Sequence, residues 1–365
     1  MRHRHDTRTP HPGPRPQLDL HQLKTAAEDV LTDFLAHKSR EAADGSRLPN
    51  LGRPLQEFLA AGGKRIRPVL AMVGWHAAGA HGSQQTACHL AASLELFHAF
   101  ALIHDDVMDH SDTRRGHPTI HRSQAAQRGG SASSADRFGQ GAAILIGDLA
   151  LCWSDELLHT GLPAPLQLSA VLPLLDAMRT EVTLGQYLDL AGNRHSIDVD
   201  AALTVIRYKT AKYTIERPLQ LGAALAGAPQ PVLDALSAYA IPLGEAFQLR
   251  DDLLGVFGNP HTTGKPALDD LREGKATVLI ALAYRHASRE QADQLRHLIG
   301  CPDLNEVQAR AARRIIRATG ADHTVENMIT ERYDQAMASL DRARFEPAAI
   351  QALRSLADSA VKRQT

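Results

Sequence analysis

Residues 89–109 read HLAASLELFHAFALIHDDVMD, and this stretch decides the fold. Apolar side chains occupy almost every helical face of the part up to His104, which is typical of a helix buried at the centre of a bundle. The stretch ends in three aspartates, Asp105, Asp106 and Asp109. Asp105 and Asp109 are four residues apart and share one helical face. Carboxylates placed there repel each other and lose hydration, so the pattern predicts a bound cation.

A second acidic pair, Asp251 and Asp252, follows another largely apolar stretch. One acidic cluster alone could be an ordinary solvated helix end, but two such helices facing each other would place carboxylates across a cavity. Hard carboxylate oxygens without cysteine alongside favour magnesium. Because Mg²⁺ usually binds through one or two carboxylates together with substrate phosphates, the sequence predicts a phosphorylated substrate.

Basic residues that could bind such a substrate recur along the chain. Three positive charges lie in GGKRIRP at 62–68, and RRG at 114–116 follows the first acidic cluster. Further lysines are Lys209, Lys265 and Lys275. Arginine offers phosphate oxygens a planar fork and lysine a point charge. Each residue alone is more often a surface charge, but together with two aspartate pairs they favour phosphate binding. The absence of a glycine-rich nucleotide-binding loop argues against a kinase or ATPase.

Composition sets the class of protein. The 365 residues are 44% hydrophobic and 22% charged, enough to bury a sizeable core and to exclude wholesale disorder. A net charge of −1 gives no excess for nucleic-acid binding. Three widely spaced cysteines form neither a disulfide framework nor a zinc site and favour a reducing cytoplasm. No apolar run is expected to approach the roughly 18 residues of a transmembrane helix, and the best candidate, residues 142–153, is short and carries Asp148.

Strand signals are scarce, since aromatic residues are only 4% of the chain and alternating β-branched runs are absent. We therefore expect an all-α protein, a single large helical bundle around a central apolar cavity. Residues 1–18, rich in arginine, histidine and proline, are predicted to be a disordered tail, and residues 19–365 one domain. The small, polar segment 125–141 is predicted to be a mobile loop, and 258–266 a turn-rich connector.

Long helices are predicted at 19–38, 199–226 and 229–257, where apolar residues recur at helical spacing. The C-terminal third, 276–362, reads as further amphipathic helices, with breaks near Gly300, Gly320 and Glu346.

Seven motifs, in this order and approximate spacing, resemble those of the trans-prenyl diphosphate synthases. They are GGKRIRP, ELFHAFALIHDDVMD, RRGHPTIH, GQYLDL, YKTAKY, FQLRDDLLGVFG and TGKP…DDLREGK. The resemblance implies the isoprenoid synthase fold, a homodimer, and condensation of isopentenyl diphosphate with an allylic diphosphate.

The resemblance also assigns metal ligands. Asp105 and Asp109 would hold two Mg²⁺ ions on the allylic diphosphate, and Asp251 would hold a third. Asp106 and Asp252 would support them. Gly255 stands where a third aspartate often occurs, so the carboxylate one turn later is missing. Two further acids, Asp269 and Asp270, are taken as ordinary loop residues.

Substrate-binding residues follow from the same resemblance. The allylic diphosphate site matches Arg114, Lys209, Gln248, Lys265 and Lys275. The isopentenyl diphosphate site matches Gly63, Lys64, Arg67, His98 and Arg115. Thr210 and Gln186 match polar positions along the reacting chain, where their oxygens could stabilise positive charge, and they complete the catalytic set with Lys209 and Gln248.

Product length depends on what blocks the pocket below the first acidic cluster. Phe100 precedes Asp105 by five residues, roughly 7.5 Å down the helix, and is predicted to form the floor. The small Ala101 beside it leaves room that a second aromatic ring would remove. This pattern resembles archaeal-type geranylgeranyl (C20) synthases, with a farnesyl (C15) product as the alternative. Phe97, one turn deeper, could be a second floor, although core packing is favoured.

Two remoter alternatives stay open. A class I terpene cyclase also uses aspartates on a helical bundle but needs only one diphosphate site, whereas GGKRIRP, His98 and Arg115 imply a second. A non-catalytic partner subunit would be expected to have lost its metal-binding carboxylates, and this chain keeps the complete first cluster.

Overall fold

A computed structural model describes residues 17–43, 50–162, 164–192, 198–258 and 269–361. Its described residues are helical almost throughout, which confirms the all-α prediction. The first seven helices are α1 Leu20–Ala43, α2 Gly52–Ala60, α3 Ile66–Ala77, α4 Gln84–Met108, α5 Ile120–Ala126, α6 Ala132–Gly161 and α7 Pro165–Ala191. Between α4 and α5, the two-residue strands β1 Thr113–Arg114 and β2 His117–Pro118 pair in an antiparallel hairpin.

The second half of the bundle begins with α8 Val199–Val205, which continues through a π-helix, Ile206–Glu216, into α9 Arg217–Leu225. The remaining helices are α10 Gln230–Phe257, α11 Asp269–Glu273, α12 Val278–His286, α13 Arg289–Leu298, α14 Glu306–Ala318, α15 Ala321–Arg342 and α16 Pro347–Val361. Helices therefore end and begin around Gly300, Gly320 and Glu346, as the sequence predicts.

Helix α4 lies at the centre of the larger of two apolar cores and packs on α1, α3 and α6. It is long and apolar enough to cross a membrane by length and composition alone, although polar residues interrupt every apolar run. In its most apolar window, 67% of the residues are buried inside the protein. This is the behaviour of the core helix of a soluble protein.

Glycines allow α6 to approach α4 closely. A Cβ added to Gly147 would lie 2.3 Å from the His104 ring, and one added to Gly161 would lie 2.1 Å from His89 Cβ. Ser154 Oγ donates to the backbone oxygen of Ser93 at 2.8 Å between the same helices. These contacts are spread from His89 to His104 and pack most of the length of α4 closely against α6.

The predicted mobile loop at 125–141 is wrong over its second half, because α6 already begins at Ala132. Ser131 caps this helix by accepting a hydrogen bond from the backbone nitrogen of Ser134. A Cβ on Gly139 would lie 2.2 Å from the His121 backbone oxygen, so the small residues serve close packing of α5 on α6 rather than mobility. The predicted tail up to residue 16 and the connector at 259–266 lie outside the described residues.

Candidate active site

The first acidic cluster lies at the C-terminal end of α4, where Asp109 is the residue that ends the helix. Its three side chains differ in exposure. Asp106 is only 2% exposed, whereas Asp105 and Asp109 keep 17% and 16%. The helix therefore presents Asp105 and Asp109 to the site and turns Asp106 into the protein.

Asp106 is paired with Arg114 of strand β1. Arg114 Nε donates to both carboxylate oxygens, at 2.8 and 2.9 Å, and Nη2 lies 2.6 Å from Oδ1. Burial raises the pKa of Asp106 above its ordinary value, although the Arg114 charge opposes the shift. Nη2 also lies 3.6 Å from Asp105 Oδ2. The pairing fixes the guanidinium beside the two carboxylates that face the site.

Lys209 of the π-helix lies across from the same aspartates. Its Nζ is 3.2 Å from Asp105 Oδ1 and 2.6 Å from Asp189 Oδ2 on α7. Burial disfavours the charge of Asp105, but Lys209, Lys275 and Arg114 outweigh it and lower the pKa of that carboxyl. Burial likewise opposes the charge on Lys209, and the two aspartates outweigh it and raise its pKa.

Lys275 lies beside the third aspartate. Its Nζ is 3.5 Å from Asp109 Oδ2 and 3.0 Å from Glu273 Oε2. The pKa of Asp109 is raised by burial and by the charge of Asp105, and that of Lys275 is raised because Glu273 and the aspartates outweigh its burial. A cavity of about 200 Å³ opens here; its lining includes Met108, Asp109, Asp189, Glu273 and Lys275.

The second acidic pair lies on α10 and connects to the π-helix. Thr210 Oγ1 donates to Gln248 Oε1 at 2.8 Å, and Gln248 Nε2 donates to Asp252 Oδ1 at 2.9 Å. Asp251 and Asp252 are both half-buried. Because Lys209 contacts Asp105 while Thr210 contacts Gln248, the π-helix joins the two predicted metal-binding clusters.

A separate cationic group lies around His98, two turns before Asp105 on α4. Arg67 donates to Thr214 Oγ1 at 2.6 Å, and its guanidinium stacks 4.1 Å from the Tyr213 ring centroid. Tyr213 Oη lies 3.3 Å from His98 Nδ1. A Cβ added to Gly63 would lie 2.9 Å from Arg115 Nη2, so the Arg115 guanidinium lies close to the backbone at Gly63.

His98 is held neutral in this group. Burial lowers its pKa well below the ordinary value, and the charges of Arg67, Arg114 and Arg115 lower it further. Lys64 is exposed beside Gly63. Of the residues predicted for isopentenyl diphosphate, the structure thus brings Arg67 and His98 together at Tyr213 and places Arg115 beside Gly63.

Other predicted residues are placed less directly. Gln186 Nε2 lies 3.9 Å from Met108 Sδ, near the end of α4. Phe100 and Ala101 are half-buried on α4 below Asp105. Lys265 lies outside the described residues, as do the side chains of Asp269 and Asp270.

Sequence reasoning missed the residues that hold the predicted cations in place. Asp189 and Glu273 pair with Lys209 and Lys275, and Tyr213 and Thr214 hold Arg67. The signal for Asp189 was its place three residues after Gln186, on the same helical side of GQYLDL.

The donor set fits magnesium. Asp105 and Asp109 offer hard oxygens on one side of α4, and both side chains keep some access to solvent. In the described part of the chain, no three histidine, cysteine or carboxylate side chains form a closed metal cluster. An open pair of carboxylates is what Mg²⁺ uses when water and substrate phosphates complete its shell.

Comparison with known proteins agrees with this chemistry. The polyprenyl synthetase family model matches residues 48–316. A geranylfarnesyl diphosphate synthase from Aeropyrum pernix is 34% identical over 72% of this chain and 78% of its own length. A (2E,6E)-farnesyl diphosphate synthase from Mycobacterium tuberculosis is 34% identical over 74% and 70%. A crystal structure of geranylgeranyl pyrophosphate synthase from Corynebacterium glutamicum, complexed with isoprenyl diphosphate and magnesium, superimposes with a TM-score of 0.89. It is 41% identical and covers 95% of this chain and 100% of that one.

Proposed function

The chain belongs to the polyprenyl synthetase family and is a prenyltransferase, and from this premise we propose that it makes geranylgeranyl diphosphate (C20). It does so by Mg²⁺-dependent, head-to-tail condensation of isopentenyl diphosphate with allylic diphosphates. The observation that carries the proposal is the presence of two separate cationic groups along the C-terminal half of α4. Lys209 and Lys275 contact Asp105 and Asp109, while Arg67 and His98 meet at Tyr213 two turns earlier on α4, with Arg115 among the charges that act on His98. Two diphosphates need two such groups.

Ionisation of the allylic diphosphate is the step that the first group serves. Lys209, Lys275 and Arg114 offer N–H donors where negative charge develops on the departing diphosphate. Asp189, Glu273 and Asp106 hold these donors in place before substrate arrives. Bound Mg²⁺ would be held by Asp105 and Asp109, with Asp251 on α10 for a further ion, and would add Lewis-acid stabilisation of the same oxygens.

The allylic cation that forms must be protected from water, and the apolar side of α4 provides a surface that excludes water from it. The oxygens of Thr210 and Gln248, joined at 2.8 Å, are rigid dipoles that can face the cation. The alkene of isopentenyl diphosphate, oriented by Arg67 and Arg115, attacks it and forms the new carbon–carbon bond. The proton then passes to the released diphosphate. His98 is not assigned as the base, because the arginines around it disfavour its protonated form and it serves as a diphosphate contact.

The C20 length rests on Phe100 and Ala101. Phe100 packs with ring centroids 5.4 Å from Phe97, which is fully buried and belongs to the core. The half-buried Phe100 ring is therefore the first large obstacle below Asp105, roughly 7.5 Å down the helix. Farnesyl diphosphate (C15) is the alternative product.

The test uses purified protein with Mg²⁺, isopentenyl diphosphate and separate C5, C10 and C15 allylic primers, followed by chromatography of the dephosphorylated alcohols. We expect a dominant C20 alcohol, and none in excess EDTA. A main product that stops at C15 would contradict the proposed C20 length but would still support the condensation reaction. A cyclic hydrocarbon formed from an allylic primer alone would overturn the condensation and favour a terpene cyclase, and no product at all would favour a non-catalytic partner subunit.

We further propose that the protein is a cytoplasmic homodimer. Helix α6 exposes Phe138, Ile144 and Leu145. Phe138 and Leu145 are seven residues apart and share one face, which a second copy could cover by twofold symmetry. Light scattering should give twice the chain mass, and Leu145→Glu should give a monomer; a monomeric wild type would contradict the proposal. The free cysteines and the buried α4 are compatible with a cytoplasmic protein.

A further inference from the structure

We propose that the ion pair between Arg179 and Asp155 closes the foot of the product groove and sets a second, deeper limit on chain length. The inference rests on the proposed function and deepens it. It concerns two residues that neither the motifs nor the diphosphate sites include.

A product chain that grows down from Asp105 would follow the side of α4 that carries Phe100. His104, Phe100 and Phe97 form an aromatic row, with ring centroids 4.7 Å apart for the first pair and 5.4 Å for the second. His104 at the top is fixed by α6, since its Nε2 lies 3.0 Å from the Ile144 backbone oxygen and 3.5 Å from Asp148. A prenyl chain anchored at Asp105 and growing downward therefore meets this row.

Arg179 covers the lower end of the aromatic row. It projects from α7, where it shares a helical side with Thr183 and Gln186 and lies seven residues below Gln186, about 10 Å. Its guanidinium carbon is 5.6 Å from the Phe97 ring centroid. Its Nη2 donates to Asp155 Oδ1 on α6. The pair thus links α7 to α6 across the foot of the row.

The pair suits a barrier to hydrocarbon because it is still hydrated. The Arg179 and Asp155 side chains are 24% and 38% exposed. Arg179 Nε, by contrast, is buried and has no hydrogen-bond partner among the described residues. A hydrocarbon tail that advanced past Phe97 would have to strip the remaining water from both charges without offering a hydrogen bond in return, which is unfavourable. Phe100 blocks the chain by volume, whereas the ion pair blocks it by charge.

The two barriers predict a specific pattern of products. With Phe100 in place the chain does not reach the pair, so Arg179→Leu alone should give the wild-type length. Phe100→Ala should lengthen the main product by at least one C5 unit and leave a stop at the pair. Phe100→Ala with Arg179→Leu should add at least one further C5 unit, because leucine removes the charge and keeps an apolar surface. Phe100→Ala with Arg179→Lys, which keeps the charge, should match Phe100→Ala.

The experiment is chromatography of the dephosphorylated products of these variants, with total isopentenyl incorporation measured in parallel. Arg354→Leu is the matched control, because Arg354 also pairs with an aspartate, Asp341, across two helices far from α4. If Arg179→Leu does not fold, Asp155→Leu in the Phe100→Ala background takes its place, because it removes the ion pair by changing the α6 residue instead. Circular dichroism checks the fold of each variant.

The inference would be overturned if Phe100→Ala gave the same products as the two double variants that lack the ion pair, Phe100→Ala with Arg179→Leu and Phe100→Ala with Asp155→Leu. A longer product from Arg179→Leu alone, or an unchanged product from Phe100→Ala, would also overturn the inference, because the pair would then not be a second barrier below Phe100. If the wild type formed no prenyl product at all, the proposed function would fail instead. The measurement of total isopentenyl incorporation distinguishes this outcome from a product of unchanged length.

Discussion

The ammonium of Lys209 lies 3.2 Å from the carboxylate of Asp105, although 104 positions separate the two residues in the chain. The contact joins the end of α4 to the π-helix. It is completed by Asp189, whose Oδ2 is 2.6 Å from the same nitrogen. Lys209 is therefore aimed at the carboxylates before any substrate binds.

Asp189→Asn should weaken use of the allylic substrate. The asparagine keeps the shape of the side chain but removes the closest negative charge from Lys209, so the lysine loses its fixed position. A hydrogen bond to a charged group is worth about 1.5–3 kcal/mol, which corresponds to about a 10- to 100-fold loss in kcat/KM for the allylic diphosphate. Steady-state kinetics with each substrate varied in turn measures this. An equal rise in KM for isopentenyl diphosphate would argue against a positioning role, and Asp189→Glu should restore part of the activity.

Arg114→Leu should destabilise the fold as well as the site. It leaves Asp106 buried with no counter-charge, a change that typically costs about 3–5 kcal/mol. We expect the free energy of unfolding to fall by about 3 kcal/mol, the lower end of this range, because Arg114 itself is not fully buried. Urea unfolding gives the difference. The double variant with Asp106→Asn should recover much of the loss, since no buried charge then remains; a double variant as unstable as Arg114→Leu would show that the pair is not the cause.

The sequence predicted the bundle and the acidic clusters because both depend on local pattern. The apolar stretch up to His104 and the four-residue spacing of Asp105 and Asp109 can be read without knowledge of any neighbour. Asp189 could have been placed at the site from its position beside Gln186 in GQYLDL, but the pairing of Asp189 and Glu273 with Lys209 and Lys275 could not be predicted, since a carboxylate carries no local sign of the lysine it will meet. The helical start of α6 at Ala132 was missed for a related reason: glycines used for close packing look the same in sequence as glycines of a loop.

Gly185→Ala should disturb the site through the backbone. A Cβ at this position would lie 2.7 Å from the backbone nitrogen of Lys209, which cannot give way as a side chain can. Overpacking typically costs about 1–3 kcal/mol and should exceed the gain in helix propensity of about 1 kcal/mol. We expect a lower melting temperature and a lower kcat. Leu184→Ala, which truncates the exposed neighbouring residue, should change neither much; equal effects of both variants would rule out the close contact as the cause.

Ala101→Phe should shorten the product. Ala101 lies four residues before Asp105, about 6 Å down α4 and above Phe100. A ring there fills the room left by alanine, so the main alcohol should shift from C20 toward C15 while isopentenyl incorporation continues. Ala101→Ser, which adds little volume, should keep the wild-type length. Unchanged products from Ala101→Phe would mean that the chain does not pass this position.

His98 should make the protein less stable on acidification. The His98 ring is buried, contacts Tyr213, and is acted on by the positive charges of Arg65, Arg67, Arg114 and Arg115. Its pKa in the folded protein is therefore well below the ordinary value of about 6.5. Below about pH 6.5 the unfolded chain therefore binds a proton at His98 that the folded chain does not, and the free energy of unfolding falls with pH. Urea unfolding of wild type and His98→Gln at several pH values between 8 and 5 isolates this contribution, because the other titrating groups are common to both. The stability advantage of the wild type over the variant should shrink as the pH falls through this window. An advantage that stays constant would show that His98 does not change its protonation on unfolding.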